Sequence, residues 1–455
     1  MNTRRTVFLP LLTALILVLP ACGAGGENPG VTTLIYANLT ELEGLGPDRE
    51  WIDRFNRTHE DVRIEVRDYF DENGKSGRER LLTEMMAGEV PDIIDLGYTP
   101  YSYGGACILP YRSLAQKGYL ENLWPYIKND PELGPDSVLT APLKAAEIDG
   151  GLYAAFSKVF VESLVGSADV VGDKYGWTMA EFQKAFSTMP EGSIVGEFFW
   201  TKSEVYFRFG ARLLDSYVDW EAGECNFDSE SFRTVLEFMN SFPAENICAD
   251  WDGHETIVKV GKDVASGRQM VLSGRVSQPL DFQINDTVFD GRAAYIGYPV
   301  ENGGIGSYFV TGTTRLAISS LCKDKEAAWE FVRYLFLPKY DFETILDIEG
   351  IPINRADYDT LVAYSCSNRV RKKYPKGYPK FSLASPLVPI HPVTEEELAR
   401  YEQFINSIDQ TDLRDPVLYR IVKEAAGAYF AGDKTLDETV QLIQNRAMLY
   451  VNEQR

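Results

Sequence analysis

Histidine is scarce in this chain of 455 residues, which holds three, His59, His254 and His391, far apart in sequence. Its six cysteines contain no Cys-x-x-Cys pair. Closely spaced zinc ligands and a dithiol redox motif are therefore not on offer, and neither is a dense disulfide framework. Basic residues are outnumbered, 45 against 67 acidic, for a net charge of −22. Such a surface repels phosphate backbones and anionic lipid headgroups, so nucleic acid is not an expected partner. The acidic excess reads as a solubilising surface, not as an acid-binding function. Long apolar runs are missing too: Val7–Leu19 is short for a membrane span and is broken by Pro10.

Catalytic signatures are equally thin. A serine-hydrolase elbow needs Gly-x-Ser-x-Gly, and Ser273 has Val271 and Arg275 where the glycines belong. The cluster Gly303-Gly304-Ile305-Gly306 lacks the Lys-Ser/Thr of a phosphate loop and reads as a turn near a lobe crossover. Asp250-Trp251-Asp252-Gly253 brings its glycine too early for an EF-hand. With 67 acidic residues a glycosidase carboxyl pair is not ruled out, but no spacing marks one. No cofactor is implied.

What is present suits a well-packed globular protein, 45% hydrophobic and 12% aromatic. The length exceeds one compact core and suggests two lobes of roughly 150 to 250 residues. Residues 1–22 read as an export signal, with Arg4 and Arg5 ahead of the apolar segment, and residues 23–30 as a flexible leader. The small residue before Cys22 resembles a bacterial lipoprotein processing box, which implies acylation of Cys22 and a tether to the membrane. Of the remaining cysteines, Cys107, Cys225, Cys248, Cys322 and Cys366, buried free thiols are expected, with a single Cys225–Cys248 bridge as the alternative.

Along the mature chain, Thr33–Tyr36 reads as a strand, followed by a polar loop holding Glu41 and Glu43. Pro47 and Asp48 introduce a helix with Trp51, Ile52 and Phe55 on one face. Val62, Ile64 and Val66 alternate as a strand; Leu81, Leu82, Met85 and Met86 mark a helix closed by Gly88; Pro91–Leu96 is a buried strand. This β-α-β-α-β order calls for a parallel sheet with covering helices. Near the other end, Thr435 and Glu438 form a capping box ahead of a helix whose Leu436, Val440, Ile443, Ala447 and Tyr450 make a core stripe. The basic cluster Arg369, Arg371, Lys372, Lys373, Lys376 and Lys380 reads as a solvated surface loop.

The order of Pro91–Leu96 (PDIIDL), Ala115–Ile127 (AQKGYLENLWPYI), Asp149–Ala154 (DGGLYA) and Gly176–Phe182 (GWTMAEF) resembles the extracellular solute-binding proteins of ABC importers, the branch with maltose-binding-like sugar receptors. Ile296–Pro299, Leu316–Ser319, Lys325–Leu335, Gly350–Asn354 and Tyr429–Glu438 extend the likeness to the end of the chain. The resemblance implies a two-lobed α/β fold, each lobe a mostly parallel sheet flanked by helices, joined by hinge crossovers. Residues 31–158 and 308–350 are then expected in the first lobe, and 159–307 and 351–455 in the second. It also implies an exported, lipid-anchored monomer on the outer face of the cytoplasmic membrane. That receptor would capture a carbohydrate, an oligosaccharide above all, and deliver it to permease subunits without catalysis. An exported glycan-degrading enzyme, and a receptor for another polar solute or for a sensor, are the alternatives.

A sugar needs side chains that hydrogen-bond its rim and flat aromatics that cover its C–H faces. The loop beyond Leu96 offers Tyr98 and Tyr101, with Asp95 and Glu41 as hydroxyl partners. From the second lobe the expected contributors are Trp200, Tyr298, Asn302 and, more weakly marked, Trp251. Ordinary core packing is the competing reading for each aromatic. Trp51, Trp124, Trp177 and Trp329 lie in helical patterns or beside proline and read as structural.

Overall fold

The computed structural model describes residues 31–39, 49–70, 77–97, 109–245, 253–312, 314–345, 348–377, 388–413 and 415–454. Its strands are β1 (Thr32–Asn38), β2 (Val62–Asp68), β3 (Ile93–Asp95), β4 (Lys158–Ser167), β5 (Val218–Asp219), β6 (Glu224–Cys225), β7 (Val271–Val276), β8 (Ala293–Tyr295), β9 (Tyr308–Thr311), β10 (Leu316–Ile318) and β11 (Ile351–Pro352). The expected β-α-β-α-β order is present. β1 lies between β2 and β3, parallel to both, and β10 closes the sheet antiparallel to β3.

Local sequence explains these elements. The helix Arg49–Thr58 buries Trp51, Ile52 and Phe55, the three residues its period places together. Trp51 stacks on Phe331 of the helix Lys325–Val332, with ring centroids 4.4 Å apart. The helix Arg78–Met86 buries Leu81 and Met85 and ends at Gly88, whose φ of +86° stops it. Met86 is left exposed.

The second sheet is built on β4, which pairs antiparallel with β7, β8, β9 and β11, so the mostly parallel sheet expected of each lobe is found only in the first. Side chains alternate along β4. Val159, Val161 and Val165 join a core that continues from the first sheet, whereas Leu164 belongs to a second core and Phe160 packs against it. Trp177 and the helices Lys202–Leu213 and Glu230–Asn240 fill that second core, together with the last helix, Leu436–Glu453. The last helix opens on the anticipated Thr435–Glu438 capping box and buries Val440, Ile443, Ala447 and Val451.

The two lobes are joined where neighbouring segments pass between the sheets. Ala155 and Leu316 exchange backbone hydrogen bonds of 2.7 and 3.0 Å, and Gly312 N–H donates to Lys158 O at 3.0 Å. A third segment, between the helices Glu395–Ser407 and Pro416–Ala431, lies beside them: Phe309 N–H donates to Gln410 O and Asp412 N–H to Phe309 O, each at 2.8 Å.

Cys225 and Cys322 are buried free thiols, so the Cys225–Cys248 bridge is not formed; Cys366 is free but exposed, contrary to the expected burial. Cys22, Cys107 and Cys248 fall outside the described residues. The basic cluster forms a short helix, Arg369–Lys373, not a loop; it is exposed apart from Val370, and Lys380 lies outside the described residues. Among the described residues no helix is long and apolar enough to cross a membrane.

Candidate functional site

β3 delivers the chain to the end of the first sheet. Asp95 pairs in register with Leu316 and is fully buried, and its Oδ1 accepts the Gly97 N–H at 2.9 Å. Gly97 has a φ of +70°, a turn that glycine takes without strain. Tyr36 lies alongside, its hydroxyl pKa raised well above the ordinary value by burial and then by the Asp95 charge. Asp95 thus fixes where the following loop leaves the sheet, and its carboxylate is turned inward, away from the rim where a hydroxyl partner was expected. Tyr98, Tyr101, Glu41 and Trp251 lie outside the described residues.

In the second lobe Trp200 and Tyr298 are brought together, but as packing. Each is 1% exposed, and each meets Phe209 nearly edge-on, at 5.9 and 5.5 Å between centroids. Gly196 makes the Trp200 position possible, since a Cβ there would fall 2.4 Å from the indole ring. These rings therefore wall no open cleft; the core reading applies to both, because a ring closed in on both faces has none left for a ligand. Asn302 is exposed in a turn, where its Oδ1 accepts the Gly304 N–H at 3.0 Å. Trp51, Trp177 and Trp329 are buried, in keeping with the structural reading.

A polar array that the sequence did not single out lies on the Phe160 side of β4. Glu162 pairs in register with Arg275 of β7 and with Tyr308 of β9. Arg275 Nε stands 3.8 Å from the Glu162 carboxylate, and its guanidinium lies over the Phe160 ring at 3.5 Å. Deeper in, Glu197 accepts the Ser273 N–H at 3.0 Å and the Ser273 hydroxyl at 3.3 Å, while Arg208 donates to the same hydroxyl at 2.9 Å. Burial works against the Arg208 charge, but Glu197, Tyr298, Glu204 and Glu162 outweigh it and hold the guanidinium charged.

The indole N–H of Trp200 and Nε of Arg208 have no hydrogen-bond partner among the described residues. Buried donors are nearly always paired, so these two are exceptions in a packed core. One signal did exist in the sequence. Lys158-Val159-Phe160-Val161-Glu162 alternates apolar residues with a cation, a ring and an acid, the period-2 signature of a strand with one polar face.

A separate crease of about 470 Å³ lies on the first lobe between Tyr126 and Trp329. Three of its acids are engaged: Glu121 pairs with Lys325 at 3.0 Å, and Asp130 and Glu330 pair with Arg333 at 2.6 and 3.4 Å. Glu326 also lines it. Among the described residues no group of three His, Cys, Asp or Glu side chains is placed to hold a metal ion.

A sequence model described as bacterial extracellular solute-binding protein matches residues 40–341. No curated protein matches. Among solved structures, the chain is similar to the sugar-binding protein MalE from the phytopathogen Xanthomonas citri. Identity is 15% and the TM-score 0.52, with 93% of this chain and 98% of that one covered. A second similar structure is the galacto-N-biose/lacto-N-biose I-binding protein of the ABC transporter from Bifidobacterium longum. There the identity is 13% and the TM-score 0.47, with 94% and 98% covered. At such identities the first of these likenesses speaks for the two-lobed fold.

Proposed function

This chain belongs to the bacterial extracellular solute-binding proteins, a family of exported binding proteins, and from that membership we propose that it captures a carbohydrate between its lobes and delivers it to an ABC permease. The observation that carries the reading is the architecture: two sheets joined by adjacent crossovers, in a chain matched by the family over residues 40–341. The polar face of β4 adds chemistry suited to a sugar. Glu162, Arg275 and Arg208 supply charged hydrogen-bonding groups, and Phe160 supplies an aromatic face. The MalE protein of like fold is named as a sugar binder, which favours the same ligand class here.

In this reading Tyr98 and Tyr101 would cover the sugar faces from the first lobe, with Glu41 as a hydroxyl partner. The second lobe would contribute the β4 face, Asn302 and Trp251. Sheet membership suggests the lobe boundaries. The strands β1 to β3, β10 and the helix Lys325–Val332 go with the first sheet and β4 to β9 with the second, so the return to the first lobe falls after β9 and not at the expected 308. Acylation at Cys22 would tether the monomeric receptor outside the cytoplasmic membrane.

The mechanism is a hinge. Closure is stabilised only by the difference in ligand affinity between closed and open states, so no bond need be made or broken in the ligand. A thermal-shift screen over mono- and oligosaccharides tests this. A bound sugar at about 100 times its dissociation constant adds about 2.7 kcal/mol and is recovered unchanged. Shortened sugar chains would identify an enzyme instead, and a response confined to peptides or polyamines would overturn the carbohydrate assignment.

A further inference from the structure

Lys158 is the first residue of β4, at the point where the chain leaves the first lobe. Strand alternation puts it on the face that carries Phe160 and Glu162. Its stem is packed against backbone at the crossovers: a Cβ added to Gly312 or Gly350 would come within 3.3 or 3.4 Å of the Lys158 side chain. The ammonium, however, makes no hydrogen bond or ion pair among the described residues.

Several other cations with restricted exposure among the described residues have polar partners. Lys202 donates to Asn240 Oδ1 at 2.6 Å and to Phe430 O at 3.1 Å. Lys339 donates to the carbonyls of Leu335 and Leu337 at 3.3 and 3.1 Å. Arg208 donates to Ser273 through Nη1 and has Glu204 3.6 Å from its otherwise unpartnered Nε, and Arg275 has Glu162 and Glu349 within 4 Å. Lys158 has no such partner, and a partly desolvated charge without a partner is costly.

Three further charges bear on it. Burial lowers the Lys158 pKa; Glu349 opposes that through space, and Arg275 reinforces it. Glu349 is 84% exposed and within 3.7 Å of Arg275, so it offers Lys158 little. Glu162 is engaged by Arg275. Lys158 and Arg275 therefore share the crossover end of the β4 face, with Glu162 held by Arg275 and Glu349 largely in solvent. A sugar hydroxyl would supply Lys158 with a dipole only. An anionic group would answer both cations through charge-assisted hydrogen bonds, which are shorter and stronger than neutral ones.

We propose that Lys158 is a ligand-binding residue and that the ligand it receives is an acidic saccharide, whose uronic-acid carboxylate meets the ammonium at the crossover. This rests on the carbohydrate reading above and narrows it. Phe160 would lie under the ring that carries the acid, once the Arg275 guanidinium turns from the aromatic face toward the carboxylate.

The test is calorimetric titration of the full-length chain with matched saccharides, cellobiose against cellobiouronic acid and galactotriose against trigalacturonic acid. In one pair or the other the acidic member binds about tenfold or more tightly than the neutral one, the expected return on a charge-assisted bond. Lys158→Met removes that preference while leaving the affinity for the neutral member within about threefold, and Lys158→Arg keeps the preference. Folding of Lys158→Met is not in jeopardy, because the variant loses a desolvated charge that has no partner. Neutral members binding as well as acidic ones would overturn the proposal while the carbohydrate reading stands, as would a preference that survives in Lys158→Met. Silence toward every mono- and oligosaccharide, charged or neutral, would overturn both.

Discussion

Arg333 grips Asp130 with two nitrogens, Nε 2.6 Å from one carboxylate oxygen and Nη2 2.8 Å from the other. The pair ties the turn after the helix Lys325–Val332 to the end of the helix Trp124–Asn129, inside the first lobe. Asp130 also accepts the Trp329 indole N–H at 2.9 Å and the backbone N–H groups of Glu132 and Leu133 at 2.9 and 3.1 Å. Burial alone would raise its pKa, but these donors outweigh burial and hold the carboxyl at about 2.

A depressed carboxyl stabilises the fold above its unfolded-state pKa, and that stability is lost as pH falls toward the folded-state value. Asp130→Asn is therefore expected to cost about 3 kcal/mol at neutral pH, because it leaves a largely buried Arg333 with only the more exposed Glu330 and Glu132 as charge partners. Urea unfolding of both proteins between pH 7 and pH 2 checks it. Below about pH 4 the wild-type protein should lose stability faster than the variant, and the gap should narrow. A gap that stays constant down to pH 2 would mean that the ion pair is not its source.

Asp412 holds both ends of the second crossover. One oxygen accepts the Thr311 N–H and hydroxyl at 3.0 and 2.9 Å, and the other pairs with Arg315, both partners of that ion pair being buried. Thr311 ends β9 in the second sheet, and Arg315 immediately precedes β10 in the first. Thr311→Val should cost about 1 kcal/mol and broaden the distribution of interlobe distances measured between paired spin labels without ligand. Asp412→Asn should cost about 3 kcal/mol or more and broaden it further. An unchanged distribution in a folded Thr311→Val protein would restrict Asp412 to stability alone.

Trp200 and Tyr98 should behave in opposite ways. Trp200→Ala deletes a core ring and is expected to lose about 3 to 5 kcal/mol, with the molecules that remain folded binding ligand within about threefold of wild type. A folded, undiminished protein with a large loss of affinity would return Trp200 to the cleft wall.

For Tyr98→Ala the expected pattern is a binding loss of about tenfold, in keeping with an aromatic face worth about 1.5 kcal/mol, and a melting temperature near that of wild type. Titration with whichever saccharide stabilises the protein reads it out. Unchanged affinity would remove Tyr98 from the site.

Much of the scaffold was legible because it depends on local rules. The period of Trp51, Ile52 and Phe55, the alternation of Val62, Ile64 and Val66, and the Thr435–Glu438 box each specify an element without reference to distant residues. The site was less legible. Trp200 and Tyr298 carry no local mark that separates a core ring from a ligand platform. Their fate is decided by Phe209, a neighbour supplied by another element. Asp95 was found in the right place, at a strand end, but which way its carboxylate turns depends on Tyr36 and Gly97 around it.

The sequence by itself determined the elements and their order. Helical and strand periods, caps and glycine stops act over a few residues, and the parallel first sheet follows from them. Tertiary structure alone decided which polar side chains share a face. Glu162 and Arg275 are 113 positions apart in the chain and meet only because β4 and β7 pair in that register. Lys158 likewise has Gly312 and Gly350 beside its stem, neighbours that are distant in the chain. Burial and charge pairing are properties of neighbours in space, and a linear chain does not display those neighbours.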